Sequence, residues 1–380
     1  MARVLSIISY PFLPPKMGGQ KGIALFNRFL SKKLSLYAAT TDNNSPEPED
    51  MYTFFPILGH RQWRYMNFFL IFKLKKIIRE KNITHILLEH PYYGWLGWLL
   101  QKMGGVHLII HSHNIEALRF KSTGHWWWKL LWYYERWTHR LAQGNFFISD
   151  EDRTYAIQHF RLNPALCHTI TYGFDLASPP TEVERQQAQK TIRQTHGIPD
   201  DHRLLLFNGT LDYTPNRQAL DTILEQLLPR LEKETAFPFS IIICGKNLPD
   251  TYHHLKAYEH RHIIYPGFVE DISLYFKGTD LFINPVVDGG GIKTKLVEAL
   301  GFGLACVSTK QGAIGVPVSI TSEKLCVVDD NDHLAFTQAI IHMAAVAKTA
   351  PPIGPAFFNH FYWDTIAGKA AAVIQSIGNG

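Results

Sequence analysis

The sequence is poor in the features that mark several whole classes of protein. Its four cysteines, Cys167, Cys244, Cys306 and Cys326, are scattered without a C-x-x-C pair. Cys244 and Cys306 sit inside apolar, strand-like runs, so they read as buried thiols of a reducing cytoplasm and not as a disulfide frame. No apolar run reaches the roughly 18 residues that a membrane span needs. The run from Val4 to Ile8 is short and is closed by Pro11, Pro14 and Pro15, which suits a first strand better than a signal peptide. Charge is scarce as well. Charged residues make up 19% and the formal net charge is +5, enough for an anionic substrate or membrane surface but no case for nucleic acid without a clustered basic face.

What is present is a large apolar fraction, 46% of 380 residues, which one core does not normally absorb, so two domains are expected. The most telling stretch runs from Asp280 to Thr309. Leu281-Phe282-Ile283 reads as a buried strand, Gly289-Gly290-Gly291 as a loop, Ile292 to Leu300 has helical spacing, and Leu304 to Ser308 is a second strand. This is a βαβ unit of a parallel sheet. Unpaired N–H groups at a helix start, beside backbone without Cβ atoms, admit phosphate oxygens closely. Lys293 and Lys295 flank Thr294 and add full positive charge there, while the Glu298 carboxylate can accept from sugar hydroxyls. Phosphate at the loop and ribose at the carboxylate point to a nucleotide.

Earlier in the chain, the strand from Val4 to Ser9 leads into a loop, Tyr10 to Gly22, with Gly18 and Gly19 before a helix from about Ile23 to Lys33. Between Arg61 and Lys81, Met66, Phe69, Leu70, Leu74 and Ile77 recur at helical spacing, with Arg64, Lys75, Lys76 and Arg79 elsewhere. Such a helix either faces the core with a solvated basic side or lies on anionic lipid. The strand Val106 to Ile110 runs into His111-Ser112-His113, placing two histidines where open α/β sheets bind ligands. His111 and His113 have metal-ligand spacing, but no cysteine or second histidine pair accompanies them, and no metal is expected. The segment from Trp126 to Trp137 carries aromatics on more than one side of a helix, so some stay exposed, and together with the basic helix they are compatible with peripheral membrane contact. Asp150-Glu151-Asp152 after Ser149, and Asp330-Asn331-Asp332, read as helix starts and not as metal-binding acids. A second strand and glycine loop, Leu204 to Phe207 followed by Gly209 and Pro215-Asn216, opens the later domain, and Gly245-Lys246 follows another strand.

The run G-G-G-I-K-x-K-x-x-E-A-L-x-x-G at 289–303 resembles the donor motif of glycosyltransferase family 4, retaining enzymes of the GT-B fold. The resemblance implies an α/β architecture of two Rossmann-like, doubly wound parallel-sheet domains facing a central cleft. Their expected extents are 1–176, a linker and leading helix at 177–200, then 201–356, with 357–380 packing back on the first. It implies sugar transfer from a nucleotide diphosphate sugar to a glycan or lipid-linked acceptor, in polysaccharide or glycolipid synthesis, with no bound cofactor, in the cytoplasm or at the inner membrane face. Glu298 would hold the donor ribose; the glutamate usually found eight positions earlier is replaced by Gly290, as in a glycine-rich variant of the motif, with Asp288 a candidate substitute. By the same resemblance His113 contacts the donor sugar, and Gly18 and Gly19 lie beside the diphosphate. The G-x-x-x-x-x-P-N segment contributes Gly209 and Asn216, and Val269 meets the base. Gly290, Gly291, Ile292, Lys293, Thr294 and Lys295 form the phosphate loop, with Lys246 and Arg217 competing to neutralise charge. A nucleotide-sugar epimerase and a non-catalytic sugar-nucleotide scaffold are the alternatives.

Overall fold

Runs such as Val4–Ile8, Leu204–Phe207 and Ile241–Ile243 lack polar alternation, so both faces of the sheets they form must be covered by helices. The computed structural model describes residues 2–15, 18–346 and 351–378 and builds two parallel sheets from these runs. The chain divides into two units, Met1–Asp175 with His360–Gly380, and Leu176–Asn359.

In the first unit the strands are β1 (Arg3–Ile8), β2 (Ser35–Ala39), β3 (Thr53–Phe55), β4 (His85–Glu89), β5 (His107–Ser112), β6 (Gly144–Phe147) and β7 (Cys167–Thr169). Their order is β3-β2-β1-β4-β5-β6-β7, so the direction of travel reverses between β1 and β4, where Leu5 pairs with Ile86. The connecting helices are α1 (Gly18–Ser31), α2 (Leu70–Lys81), α3 (Gly94–Gly104), α4 (Glu116–Ser122), α5 (Trp128–Leu141) and α6 (Asp150–Tyr155). Leu70, Leu74 and Ile77 of α2 and Leu96 and Leu100 of α3 pack on the face that carries Leu5, Ile7, Ile86 and Leu88. Phe26 of α1 covers the opposite face, its ring 4.6 Å from that of His111.

The second unit contains α7 (Glu182–His196), β8 (Arg203–Asn208), α8 (Thr214–Asp221), α9 (Leu228–Glu234), β9 (Phe239–Cys244), β10 (Ile263–Gly267), α10 (Ile272–Gly278), β11 (Leu281–Asn284), α11 (Thr294–Gly301), β12 (Ala305–Thr309), β13 (Leu325–Val328) and α12 (His333–Val346). Its strands follow the order β10-β9-β8-β11-β12-β13, and the reversal falls between β8 and β11. Two short-range features end the chain: α13 (Pro355–Phe361) and α14 (Trp363–Ser376). The last of these belongs to the first unit. Trp363, Ile366, Ala370 and Ile374 are buried there, and Lys33 pairs with Asp364 at 2.8 Å.

Several local expectations shift. Gly18 and Gly19 form the first turn of α1 and are not loop, so the helix begins five residues earlier than the apolar pattern from Ile23 indicates. The run 61–81 is not one helix. A 3-10 turn, Gln62–Met66, ends at Asn67 in extended backbone, and the Asn67 side chain accepts the N–H of Phe69 at 3.1 Å, restarting the chain as α2. Trp126 and Trp127 precede α5, and Ile292 and Lys293 precede α11, since Gly291 turns the chain with φ +68° just before them. The acidic runs behave as helix starts: Ser149 Oγ accepts the N–H of Asp152 at 3.1 Å, and Asp332 accepts that of Ala335 at 2.9 Å.

Candidate active site

In open parallel sheets the strands' carboxyl ends diverge where strand order reverses, leaving a crevice there. In the second unit the crevice lies at the ends of β8 and β11, and the glycine loop fills it. Gly289, with φ +87°, takes a backbone shape that side chains strongly disfavour, and a Cβ there would approach Pro215 and the Tyr213 hydroxyl at 3.2 Å. At Gly209 a Cβ would meet the Asn216 amide at 2.7 Å, so the turn from β8 towards α8 is also crowded for any side chain. Asp288 accepts the N–H of Gly289 at 2.6 Å, which ties its carboxylate to this turn.

The two lysines are held differently. Lys293 Nζ folds back onto the loop and donates to the carbonyls of Gly289 at 2.7 Å and Gly291 at 3.1 Å. Lys295 reaches from α11 to the end of β8, donating to Asn208 O at 3.0 Å and Asn216 Oδ1 at 2.9 Å above the Phe207 ring. Burial of this ammonium, and then the nearby charge of Lys293, bring its pKa down to about 7. The expectation of two full charges is therefore corrected for Lys295, which is poised near neutrality and recovers charge when an anion arrives. Asn216 also donates to Thr210 O at 3.0 Å, so α8, α11 and the loop after β8 are joined through one side chain.

The remaining residues line the same edge. Lys246 follows β9 half-buried, and among the described residues no hydrogen bond or ion pair fixes its ammonium; Val269 follows β10, also half-buried. Gly290 is exposed, Gly291 and Ile292 are buried, and Thr294 and Glu298 are half-buried on α11. Asp271 caps α10 by accepting the N–H of Ser273 at 2.9 Å. The segment after β12 was not singled out by the sequence, yet it braces the loop. Gln311 Nε2 donates to Gly289 O at 2.9 Å, and Asn284 Nδ2 bridges Ser308 Oγ at 3.0 Å and Gly312 O at 3.1 Å. The one signal for it is Asn284, a fully buried amide ending an apolar strand.

In the first unit the crevice at β1 and β4 holds a buried polar network. Glu89 ends β4 with its carboxylate 2.8 Å from His113 Nε2 and 3.0 Å from His111 Nδ1. Burial alone would raise this carboxyl, but its pairing with His111 and His113 outweighs burial and holds it well below the usual range. An ionised carboxylate can only accept, so His113 donates from Nε2. Burial, and then the neighbouring His111, lower the pKa of His113, and in the neutral ring Nδ1 is left as an acceptor for a hydroxyl. Beside it His90, with φ +71°, stacks on His113 at 4.6 Å and meets the Tyr10 hydroxyl at 2.8 Å. Glu116 lies 3.2 Å from His90 Nδ1 and accepts from Tyr92 at 2.5 Å and Arg119 at 2.6 Å. Glu135 of α5 accepts the N–H groups of Glu116 at 2.9 Å and Ala117 at 3.0 Å, and burial pushes its own pKa up to about 8. Glu89, Glu135, His90 and Tyr10 were not marked by sequence as a group, because they come from the ends of β1 and β4 and from α5. Glu89, His111 and His113 also bring one donor atom each within 4.8 Å, a spacing that a cation could use. Gly18 and Gly19 open α1 in this unit.

Both halves of the chain match known families. Residues 33–178 match the family described as Glycosyltransferase Family 4, and residues 202–345 the one described as Glycosyl transferases group 1. No curated protein matches the sequence. Among solved structures, sucrose-phosphate synthase from Thermosynechococcus elongatus is similar with a TM-score of 0.75 at 14% identity, covering 99% of both chains. HepE of Anabaena in complex with UDP reaches 0.74 at 16% identity over 99% of this chain and 100% of that one. WaaG, described as a glycosyltransferase involved in lipopolysaccharide biosynthesis, reaches 0.64 at 14% identity over 99% and 100%.

Proposed function

Because the chain is a glycosyltransferase with the GT-B fold, we propose that it transfers a sugar, with retention of configuration, from a nucleoside diphosphate sugar to a glycan or lipid-linked acceptor. The setting is cell-surface polysaccharide or glycolipid synthesis, at the inner face of a membrane. The observation that carries the donor half is Lys293 folded onto the Gly289–Gly291 loop, with Lys295 beside it on Asn208 and Asn216, at the crevice between β8 and β11.

In this reading the first N–H groups of α11, which have no partner inside the helix, receive phosphate oxygens together with Lys293 and Lys295. A departing nucleoside diphosphate develops charge, and donors fixed in advance stabilise it without reorganising. Glu298 takes the ribose hydroxyls, Val269 meets the base, and Gly209, Asn216 and Lys246 complete the rim. His113, held by Glu89, offers Nδ1 to a sugar hydroxyl, and Gly18 and Gly19 open α1 without side-chain bulk. The motif is the glycine-rich variant, with Gly290 where a glutamate usually stands. UDP and UDP-glucose are bound by HepE, and a uracil nucleotide is the first donor to test here.

The test is thermal shift against UDP, GDP, ADP, CMP and dTDP, with Glu298→Ala and Lys293→Ala beside the wild type. A ligand of the folded state present at about a hundredfold its Kd adds roughly 2.7 kcal/mol. A shift with one diphosphate, lost in both variants, is the expected result. No shift with any nucleotide would overturn the donor site. Binding that leaves the nucleotide sugar intact with every acceptor would turn the reading to a scaffold.

A further inference from the structure

The first unit leaves an apolar surface uncovered. Although α2 buries Leu70, Leu74, Ile77 and Ile78, the side chains of Trp63, Met66, Phe68, Phe69 and Phe72 around its start remain 63–78% exposed. Across the same layer Trp126 is 84% exposed, and Leu130 and Tyr133 of α5 are 68% and 64% exposed. The two sets are linked through α3: the Phe68 ring lies 4.8 Å from Trp95, and the Trp137 ring 6.1 Å from Trp98. Single exposed apolar residues are ordinary, whereas a run of them along adjacent helices marks an interaction surface.

Charge decides the partner. Lys73, Lys76, Arg79, Lys102, Lys129 and Arg140 are exposed on these helices, and Glu80 is the exposed acid among them. A second copy docking by the same face would bring basic rim against basic rim. An anionic bilayer instead takes amphipathic rings at headgroup depth and cations at its surface. Among the described residues no helix is long and apolar enough to cross a membrane, so contact would be from one side. We infer that the face built by α2, α3 and α5, together with Trp63 before α2 and Trp126 before α5, docks on an anionic phospholipid bilayer. This deepens the proposed function, on which it rests only in supposing an acceptor held at a membrane.

The experiment is vesicle flotation of the full chain with phosphatidylcholine alone and with phosphatidylcholine mixed with phosphatidylglycerol. Binding is expected to the mixed vesicles, about tenfold or more above phosphatidylcholine alone and weakened by salt. The triple variant Phe69→Ser/Phe72→Ser/Trp126→Ser is expected to bind about a hundredfold more weakly. Lys73→Glu/Lys76→Glu should lose the preference for phosphatidylglycerol. All of these side chains are exposed, so folding and any nucleotide-induced thermal shift should be unchanged in both variants. Absence of vesicle binding, equal binding to both vesicle types, or a dimer that the triple variant converts to monomer without vesicle binding would each overturn the inference. A missing nucleotide shift alongside intact vesicle binding would sink the donor reading and leave this surface standing.

Discussion

Lys295 is the residue on which charge and stability pull against each other. Its pKa, brought down to about 7 by burial and by Lys293, lies far below that of the unfolded chain. Between those two values the unfolded state binds the extra proton, so wild-type stability rises with pH across that window, by at most about 1.4 kcal/mol per pH unit. Lys295→Met should lack this slope and melt higher than wild type near neutrality. The same substitution should abolish the nucleotide shift, since an anion binds the protonated form. For the wild type, nucleotide affinity is expected to fall as pH rises above about 7; calorimetric titration showing a Kd independent of pH would count against Lys295 as the phosphate contact. Glu89 is the second such residue. Glu89→Ala removes the carboxylate that His111 and His113 share, and should lower stability by about 3 kcal/mol in urea unfolding. Glu89→Gln keeps the volume but sets an amide N–H against His113, and should reduce turnover while leaving nucleotide affinity near wild type. A chelator should leave the melting temperature unchanged, because Glu89 already contacts both imidazoles directly; a fall on adding EDTA would place a cation between the three side chains.

At the scale of elements, the glycine loop and its neighbours explain what could and could not be read from sequence. The strands were legible because parallel sheets covered on both faces need unbroken apolar runs, as in β8, β9 and β11. The loop was legible because three glycines before a helix have few structural uses. Its exact helix start was not, since Ile292 continues the apolar period of α11 while Gly291 turns the chain away from it. The brace from Gln311, and the pairing of Glu89 with histidines at and just beyond the end of the next strand, are contacts across sequence, and no period encodes them. Nor did composition reveal that Asn67 would split one amphipathic run into two. Gly289→Ala tests the loop directly. With φ +87° and Pro215 at 3.2 Å from the added carbon, it should cost about 1–2 kcal/mol in thermal unfolding and abolish the nucleotide shift. Full retention of both would mean that the loop has room it does not show.

For the molecule as a whole, the distribution of the chain between its two units matters most. Residues 360–380 lie beyond the second unit in sequence and yet pack in the first, where α14 buries Trp363, Ile366 and Ile374. Burial of each such side chain contributes about 2 kcal/mol, so a chain stopped after residue 359 should lose several kcal/mol from the first unit. Circular dichroism melting and limited proteolysis would check this, with cuts expected in residues 1–175 and protection retained in 176–359. Uniform protection would show α14 to be dispensable. The arrangement also has a temporal side. On a translating ribosome the first half of the protein waits, with the groove for α14 open, until the whole of the second half has been made. A prematurely terminated message therefore yields a product whose earlier half cannot seal, leaving it open to cellular proteases even where its later half has folded.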